Sequence, residues 1–215
     1  MDAVAIYSNF PEGDEQGNRE PIIEWPNIRQ RRILIYGVTG SGKTTMAAWL
    51  SEKTGIPWTE IDLLMWNPGW ELVPVDLQRE RVAEICARDE WILDAAYAPW
   101  LDIPLERVQL IIGLDYSRSR TFWQLLKRTV TRAIDKKEVC NQNVETFKGM
   151  FSRDSILIWH FKSFARKRER MRLWQADQAN FDVILLKRPT SPEKWEMERI
   201  MERIVENLLE REDEF

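Results

Sequence analysis

From Arg32 onward the chain alternates short apolar runs with longer stretches whose apolar positions recur every three or four residues. "ILIYG" (33–37), "EWILD" (90–94), "VQLIIGLD" (108–115) and "FDVILLK" (181–187) read as buried strands, and "IPWTEID" (56–62) is strand-like. "KTTMAAWLSEKTG" (43–55) predicts a helix closed by Gly55, and "VDLQRERVAEICARD" (75–89) an amphipathic helix. Two long helices are predicted over about 118–134 and 153–174, joined by the loop-like "DKKEVCNQNVETFKGMF". Ser191 and Pro192 suit the N-cap and first turn of a terminal helix over about 192–212. Its stripe of Met197, Met201, Ile204 and Leu208 reads as core packing. Such alternation predicts an α/β fold: a parallel sheet covered by helices on both faces, with right-handed crossovers. Residues 1–30 keep no period and carry Pro11, Gly13, Gly17, Pro21 and Pro26. They are expected to form a partly disordered extension before one domain over 31–215.

Composition narrows the class only mildly. Of 215 residues 44% are hydrophobic and 31% charged, which is ordinary for a globular protein, but eleven tryptophans are many. Most should be core or half-buried anchors, with a few available to stack on a ligand. A net charge of −4 and a pI near 5.3 argue against a dedicated nucleic-acid binder. Cys86, Cys140 and the lone His160 have no metal-ligand spacing, so the thiols are expected to be free in a reducing compartment. No apolar run approaches the roughly 18 residues of a membrane span, and no secretory signal is seen. The expected location is cytoplasmic. Oligomeric state leaves no trace in the pattern.

The densest chemistry is "GVTGSGKT": Gly37, Val38, Thr39, Gly40, Ser41, Gly42, Lys43 and Thr44, followed by Thr45. It fits G-x-x-x-x-G-K-[ST] between a predicted strand and a predicted helix, the context of a P-loop. Glycines let the backbone curl so that successive N–H groups face phosphate oxygens, and the helix start adds its positive end. Lys43 would reach the β- and γ-phosphates of ATP, and Thr44 Oγ would ligate Mg²⁺. No N-K-x-D base-reading motif occurs, which argues against a translational-type GTPase. Motor ATPases want an acidic pair ending a strand, but Asp94 precedes Ala95 and Asp115 precedes Tyr116. Small P-loop kinases remain.

Asp62, Asp94 and Asp115 follow predicted strands, where open α/β sheets bind ligands. Asp94 is the metal candidate, Asp62 is placed to meet an acceptor or serve as base, and Asp115 reads as a cap for "DYSRSR". In "DLLMWNPGW" (62–70), Leu63, Leu64 and Met65 suit packing and Pro68–Gly69 a turn, while Trp66 or Trp70 could wall a pocket. Arg128 and Arg132 lie one helical turn apart, and Arg153, Arg166, Arg168, Arg170 and Arg172 return on the second long helix. Arginines on two helices joined by a polar loop suggest a closing lid over about 128–170, with Arg128, Arg153 and Arg166 on the phosphates. Lys167, Glu169 and Arg172 read instead as a solvated face. Nucleic-acid contact by this cluster is disfavoured by the acidic total.

Residues 33 to about 195 resemble adenylate-kinase-like P-loop proteins often labelled DNA topology modulation protein or adenylate kinase. "GVTGSGKTT", "GIPWTEIDLLMWNPGW", "WILDAAY", "LDYSRSRTFWQLLKR", "CNQNVETF" and "FSRDSILIW" carry the likeness, in order over most of the chain. The resemblance implies a nucleoside-monophosphate-kinase-like P-loop fold, three-layer α/β/α with a five-stranded parallel sheet, taking ATP and Mg²⁺. It also implies an acceptor region after strand two, about 62–89, where Tyr97 joins Asp62, Trp66 and Trp70. One departure stands out: the family's D-G-N-Y is Asp94-Ala95-Ala96-Tyr97 here, without the glycine's freedom or the asparagine's amide. The expected activity is ATP-dependent phosphoryl transfer to a small acceptor, foremost a nucleoside monophosphate. The alternative is a nucleotide-binding regulator or weak ATPase acting through a protein or DNA partner.

Overall fold

A computed structural model describes residues 30–135, 138–143, 155–177 and 180–187. The expected N-terminal extension up to residue 29, the terminal helix over 192–212 and Arg153 lie outside the described residues. Five strands form one parallel sheet: β1 (Arg32–Gly37), β2 (Trp58–Thr59), β5 (Trp91–Asp94), β6 (Leu110–Leu114) and β7 (Asp182–Leu186). Their spatial order is β2-β5-β1-β6-β7, with Ile33 of β1 paired to Ile92 on one side and Leu110 on the other. A small antiparallel hairpin, β3 (Trp66–Asn67) and β4 (Glu71–Leu72), stands apart from it. The α/β class and five-stranded parallel sheet expected from the sequence are present.

The strands are near-continuous apolar runs because both faces are covered. Leu34, Tyr36, Trp91, Leu93, Ile111 and Val183 point one way, into a core completed by α2 (Ile61–Met65), α3 (Val75–Cys86), α4 (Asp102–Leu105) and α6 (Ile156–Ala176). Ile33, Ile35, Ile92, Leu110, Ile112 and Leu114 point the other way, onto Met46, Ala47 and Leu50 of α1 (Lys43–Thr54). The alternation within each strand puts successive side chains in opposite layers. Gly55 closes α1, its N–H donating to Ser51 O at 2.9 Å. Cys86 and Cys140 are free and buried, and burial pushes their thiols up to about 12 and about 11. No helix among the described residues is long and apolar enough to cross a membrane.

Three local differences from the sequence reading have clear causes. The second strand is only Trp58–Thr59, because Ile61–Met65 winds into a helix whose first N–H donates to Asp94 Oδ1 at 3.2 Å. Leu63 is exposed rather than packed, while Met65 on the opposite side of that short helix is fully buried. Asp115 does not cap the turn before α5 (Arg118–Asp135). Its side chain is fully buried and accepts from Arg168 Nε at 2.5 Å and Arg172 Nε at 2.9 Å, so Arg172, exposed to solvent as expected, is also an ion-pair partner. This cluster ties the end of β6 to α6. Asp115→Ala should therefore cost about 2 kcal/mol in urea denaturation, less than a fully buried pair because both arginines can rehydrate. A double-mutant cycle with Arg168→Ala should return a coupling of about 1 kcal/mol or more.

Candidate functional site

The loop from β1 to α1 is shaped by two glycines with left-handed backbones, Gly40 (φ +80°) and Gly42 (φ +90°). They do different jobs. A Cβ at Gly40 would lie 2.5 Å from the Thr121 carbonyl oxygen and 2.8 Å from Leu125 Cβ, so the loop is seated directly on α5. A Cβ at Gly42 would meet nothing within 4 Å, which leaves that side of the curl open to a ligand. Ser41 N–H donates to Val38 O at 3.2 Å and Met46 N–H to Gly42 O at 3.0 Å, carrying the curl into the first turn of α1. Ser41 Oγ is buried with no hydrogen-bond partner among the described residues. Thr39 is half-buried, and Thr44 and Thr45 are exposed at the helix start. Open space, a helix N-terminus and an orphaned hydroxyl all fit an anionic phosphate chain.

Lys43 Nζ donates to Val38 O at 3.2 Å. Burial pushes its ammonium below the ordinary lysine value, Asp62 and Asp94 oppose the shift, and Arg128 adds to it. Asp94 is buried at the end of β5, where Thr44 Oγ1 donates to Oδ2 at 2.6 Å. Burial raises its carboxyl, while the Thr44 hydroxyl and the Ile61 N–H hold it down. Thr44 and Asp94 are thus already paired, the donor set that would hold Mg²⁺ through the hydroxyl and outer carboxylate. The described residues contain no group of three His, Cys, Asp or Glu side chains able to cage a metal alone.

Asp62, in the first turn of α2, is exposed and accepts from the Tyr97 hydroxyl at 2.6 Å. Trp66 Nε1 in turn donates to that hydroxyl at 3.1 Å. Tyr97 stacks on buried Trp100 with centroids 5.6 Å apart, and Trp100 Nε1 donates to buried Gln78 at 3.2 Å. Burial pushes the Tyr97 phenol up, so it stays protonated and donating. Half-buried Glu60 completes an acidic group with Asp62 and Asp94. Burial and these two carboxylates raise its own carboxyl. Trp70, 41% exposed, meets Trp66 edge-to-face at 5.7 Å.

Two asparagines missed in the polar loop hold the hairpin. Asn141 Nδ2 donates to Leu63 O at 2.7 Å and Trp66 O at 2.6 Å. Asn143 Nδ2 donates to Asn67 O and Cys140 O, and its Oδ1 accepts from Trp70 N–H at 2.7 Å. The segment after α5 is therefore sewn to the wall containing Trp66 and Trp70. Composition marked it as loop; only the fold brings it opposite residues 63–70.

Among the expected cations, Arg128 and Arg132 are half-buried on α5, with Arg128 in the electrostatic surroundings of Lys43 and Arg132 in those of Glu60. Arg166 is exposed on α6 and acts on Tyr36 and Lys167. Lys167 does not lie on a solvated face. It is 7% exposed and belongs to a buried stripe with His160, Ser163, Phe164 and Met171. His160 Nδ1–H donates to Thr39 O at 3.1 Å, docking α6 on the phosphate loop, and burial lowers its imidazole below the ordinary value. The spacing 160, 163, 164, 167 is helical and was visible in sequence, but charged side chains on such a stripe default to solvent.

A glycine-curled loop between the central strand and a helix, beside strand-end carboxylates, defines a P-loop α/β fold. No protein-family model matches the chain, and no curated protein matches it. Solved structures do. A gluconokinase from Sinorhizobium meliloti 1021 is 19% identical with a TM-score of 0.50, over 85% of this chain and 99% of that one. A shikimate kinase from Bacteroides thetaiotaomicron is 13% identical with a TM-score of 0.51, over 82% of this chain and 97% of its own. The likeness is one of fold.

Asn143 is buried and satisfies three backbone groups from two segments, so Asn143→Ala should cost about 2 kcal/mol in chemical denaturation. Amide exchange should quicken over 66–72 while β1 and β6 remain protected, a pattern read by hydrogen-exchange mass spectrometry.

Proposed function

We propose that the chain is an ATP-dependent phosphotransferase that moves the γ-phosphoryl group onto a hydroxyl of a small acceptor held beside Asp62. The observation that carries this reading is the convergence of the phosphate loop and the Asp62–Tyr97 pair on Lys43. The fold likeness to two structures named as kinases, and the resemblance to adenylate-kinase-like proteins, agree with the class.

The loop N–H groups and Lys43 bind the phosphate chain, and Arg128 and Arg166, with Arg153, supply further positive charge as the lid closes. Thr44 and Asp94 would hold Mg²⁺, which when bound supplies charge neutralisation on the phosphates. Asp62 takes the proton of the acceptor hydroxyl as that oxygen bonds to the γ-phosphorus and the bond to the bridging oxygen of ADP breaks. Tyr97 keeps the Asp62 carboxylate oriented, and Trp66 fixes Tyr97. The acidic group of Glu60, Asp62 and Asp94 favours a neutral hydroxyl over a second phosphate at this place, because like charges repel.

A nucleoside monophosphate is the second reading, favoured by the Trp66–Trp70 pair, whose exposed ring offers a face for a base. Chemistry separates the two. A phosphate acceptor is already ionised at neutral pH and needs no base, whereas a hydroxyl does.

The test is coupled detection of ADP across nucleoside monophosphates and small hydroxylated metabolites. Lys43→Ala should cut acceptor-stimulated turnover by about 100-fold or more. With a hydroxyl acceptor Asp62→Asn should lower kcat by about 10²- to 10⁴-fold, and with a monophosphate it should change kcat little. ADP formation that no acceptor stimulates, alongside salt-sensitive DNA retention, would overturn the kinase reading in favour of a regulator.

A further inference from the structure

Lys167 is a buried ammonium with no hydrogen bond or ion pair among the described residues, an expensive arrangement for a fold with no use for it. It lies on the face of α6 that touches the phosphate loop, two turns beyond His160, whose ring donates to the Thr39 carbonyl. Its charged surroundings are lopsided. Lys43 faces it from α1, Arg166 and Arg170 flank it on α6, and Asp62 on α2 draws its charge the other way. His160 on the same helix feels its charge in turn. Around this group, Tyr36 of β1 faces Arg166 and Arg170, while Asp94 of β5 and Arg128 of α5 act on Lys43.

We propose that Lys167 is a phosphate ligand of the nucleotide site and that it takes up a proton as a nucleoside triphosphate binds. The inference rests on the reading that the loop binds such a ligand. Burial and the neighbouring cations push the Lys167 ammonium down to about 7, so near neutral pH it is only partly charged. A polyanion reaching Lys43 brings several negative charges to the same place and reverses the balance. One proton then moves from solvent to Lys167 Nζ; no bond other than N–H is made or broken. The site gains its last cation only when there is an anion to meet it. An arginine, charged at any accessible pH, could not behave so.

The sign of the stability effect follows. Between about 7 and the ordinary lysine value of 10.5 the unfolded chain binds more protons than the folded one, so stability rises with pH across that window. Below about 7 the cost of the buried charge is present in full.

The experiment is titration calorimetry of the full chain with a non-hydrolysable ATP analogue and Mg²⁺, at pH 8 and pH 6, in two buffers of unlike ionisation heat. The wild type should take up close to one proton more than Lys167→Met at pH 8, and the difference should shrink towards zero at pH 6. Lys167→Met should bind about 10- to 100-fold more weakly, yet the unliganded variant should melt no lower than the wild type. Lys167→Arg should retain binding without the extra proton. Equal affinity and equal proton uptake in wild type and Lys167→Met would overturn the assignment while leaving nucleotide binding intact. A Lys167→Met that melts well below the wild type and binds normally when folded would also overturn it. No binding by folded wild type would overturn the nucleotide reading itself, and this inference with it.

Discussion

A lysine ammonium partly withdrawn from water must be compensated, and Lys43 is compensated by two carboxylates that are themselves held by neutral donors. Asp94 is held by a threonine hydroxyl and a backbone N–H, and Asp62 by a tyrosine. Had either carboxylate formed a tight ion pair with Lys43, a ligand would first have to break it. Neutral donors orient the carboxylates without using up the ammonium, which donates to the Val38 carbonyl. The positive charge is therefore poised rather than spent. Arg128 adds to it, and Lys167 lies within electrostatic reach of the same ammonium.

What could be read in the sequence is what is local. The phosphate loop is eight consecutive residues whose conformation follows from its glycines, and the buried strands announce themselves as branched apolar runs. The polypeptide between Ile56 and Asp62 was harder, since its strand ends after Thr59 only because Asp94, a residue of another strand, accepts the Ile61 N–H. Asp115 and Lys167 failed for a related reason. A charged residue is expected in water unless something distant covers it. For Asp115 that cover is two arginines more than fifty residues away, and for Lys167 it is the docking of α6 on the phosphate loop. Asn141 and Asn143 were legible as loop and not as clamp, because the backbone groups they hold on the hairpin lie more than seventy residues away.

The Ala95–Ala96 turn takes its meaning from the same geometry. Ala95 is fully buried and its N–H donates to Ile35 O at 3.1 Å, so this residue extends the sheet's pairing by one step. Ala96 and Tyr97 then pack against the same core. A turn built this way has no side-chain amide to offer an acceptor. On the proposed reading, recognition would fall instead on Asp62, Tyr97 and the tryptophan pair, which can read a hydroxyl and a flat or apolar surface.

These parts are joined mechanically by α5. Its first half seats the loop, with Thr121 and Leu125 so close to Gly40 that no side chain could intervene. The chain just beyond its second half supplies Asn141 and Asn143, which hold the tryptophan hairpin. Arg128 and Arg132 lie between these two contacts on the same helix. A shift of α5 along its axis would therefore move the phosphate loop's seat and the two cations together. One helix thus joins the loop's seat to the two cations with no relay of small adjustments between them.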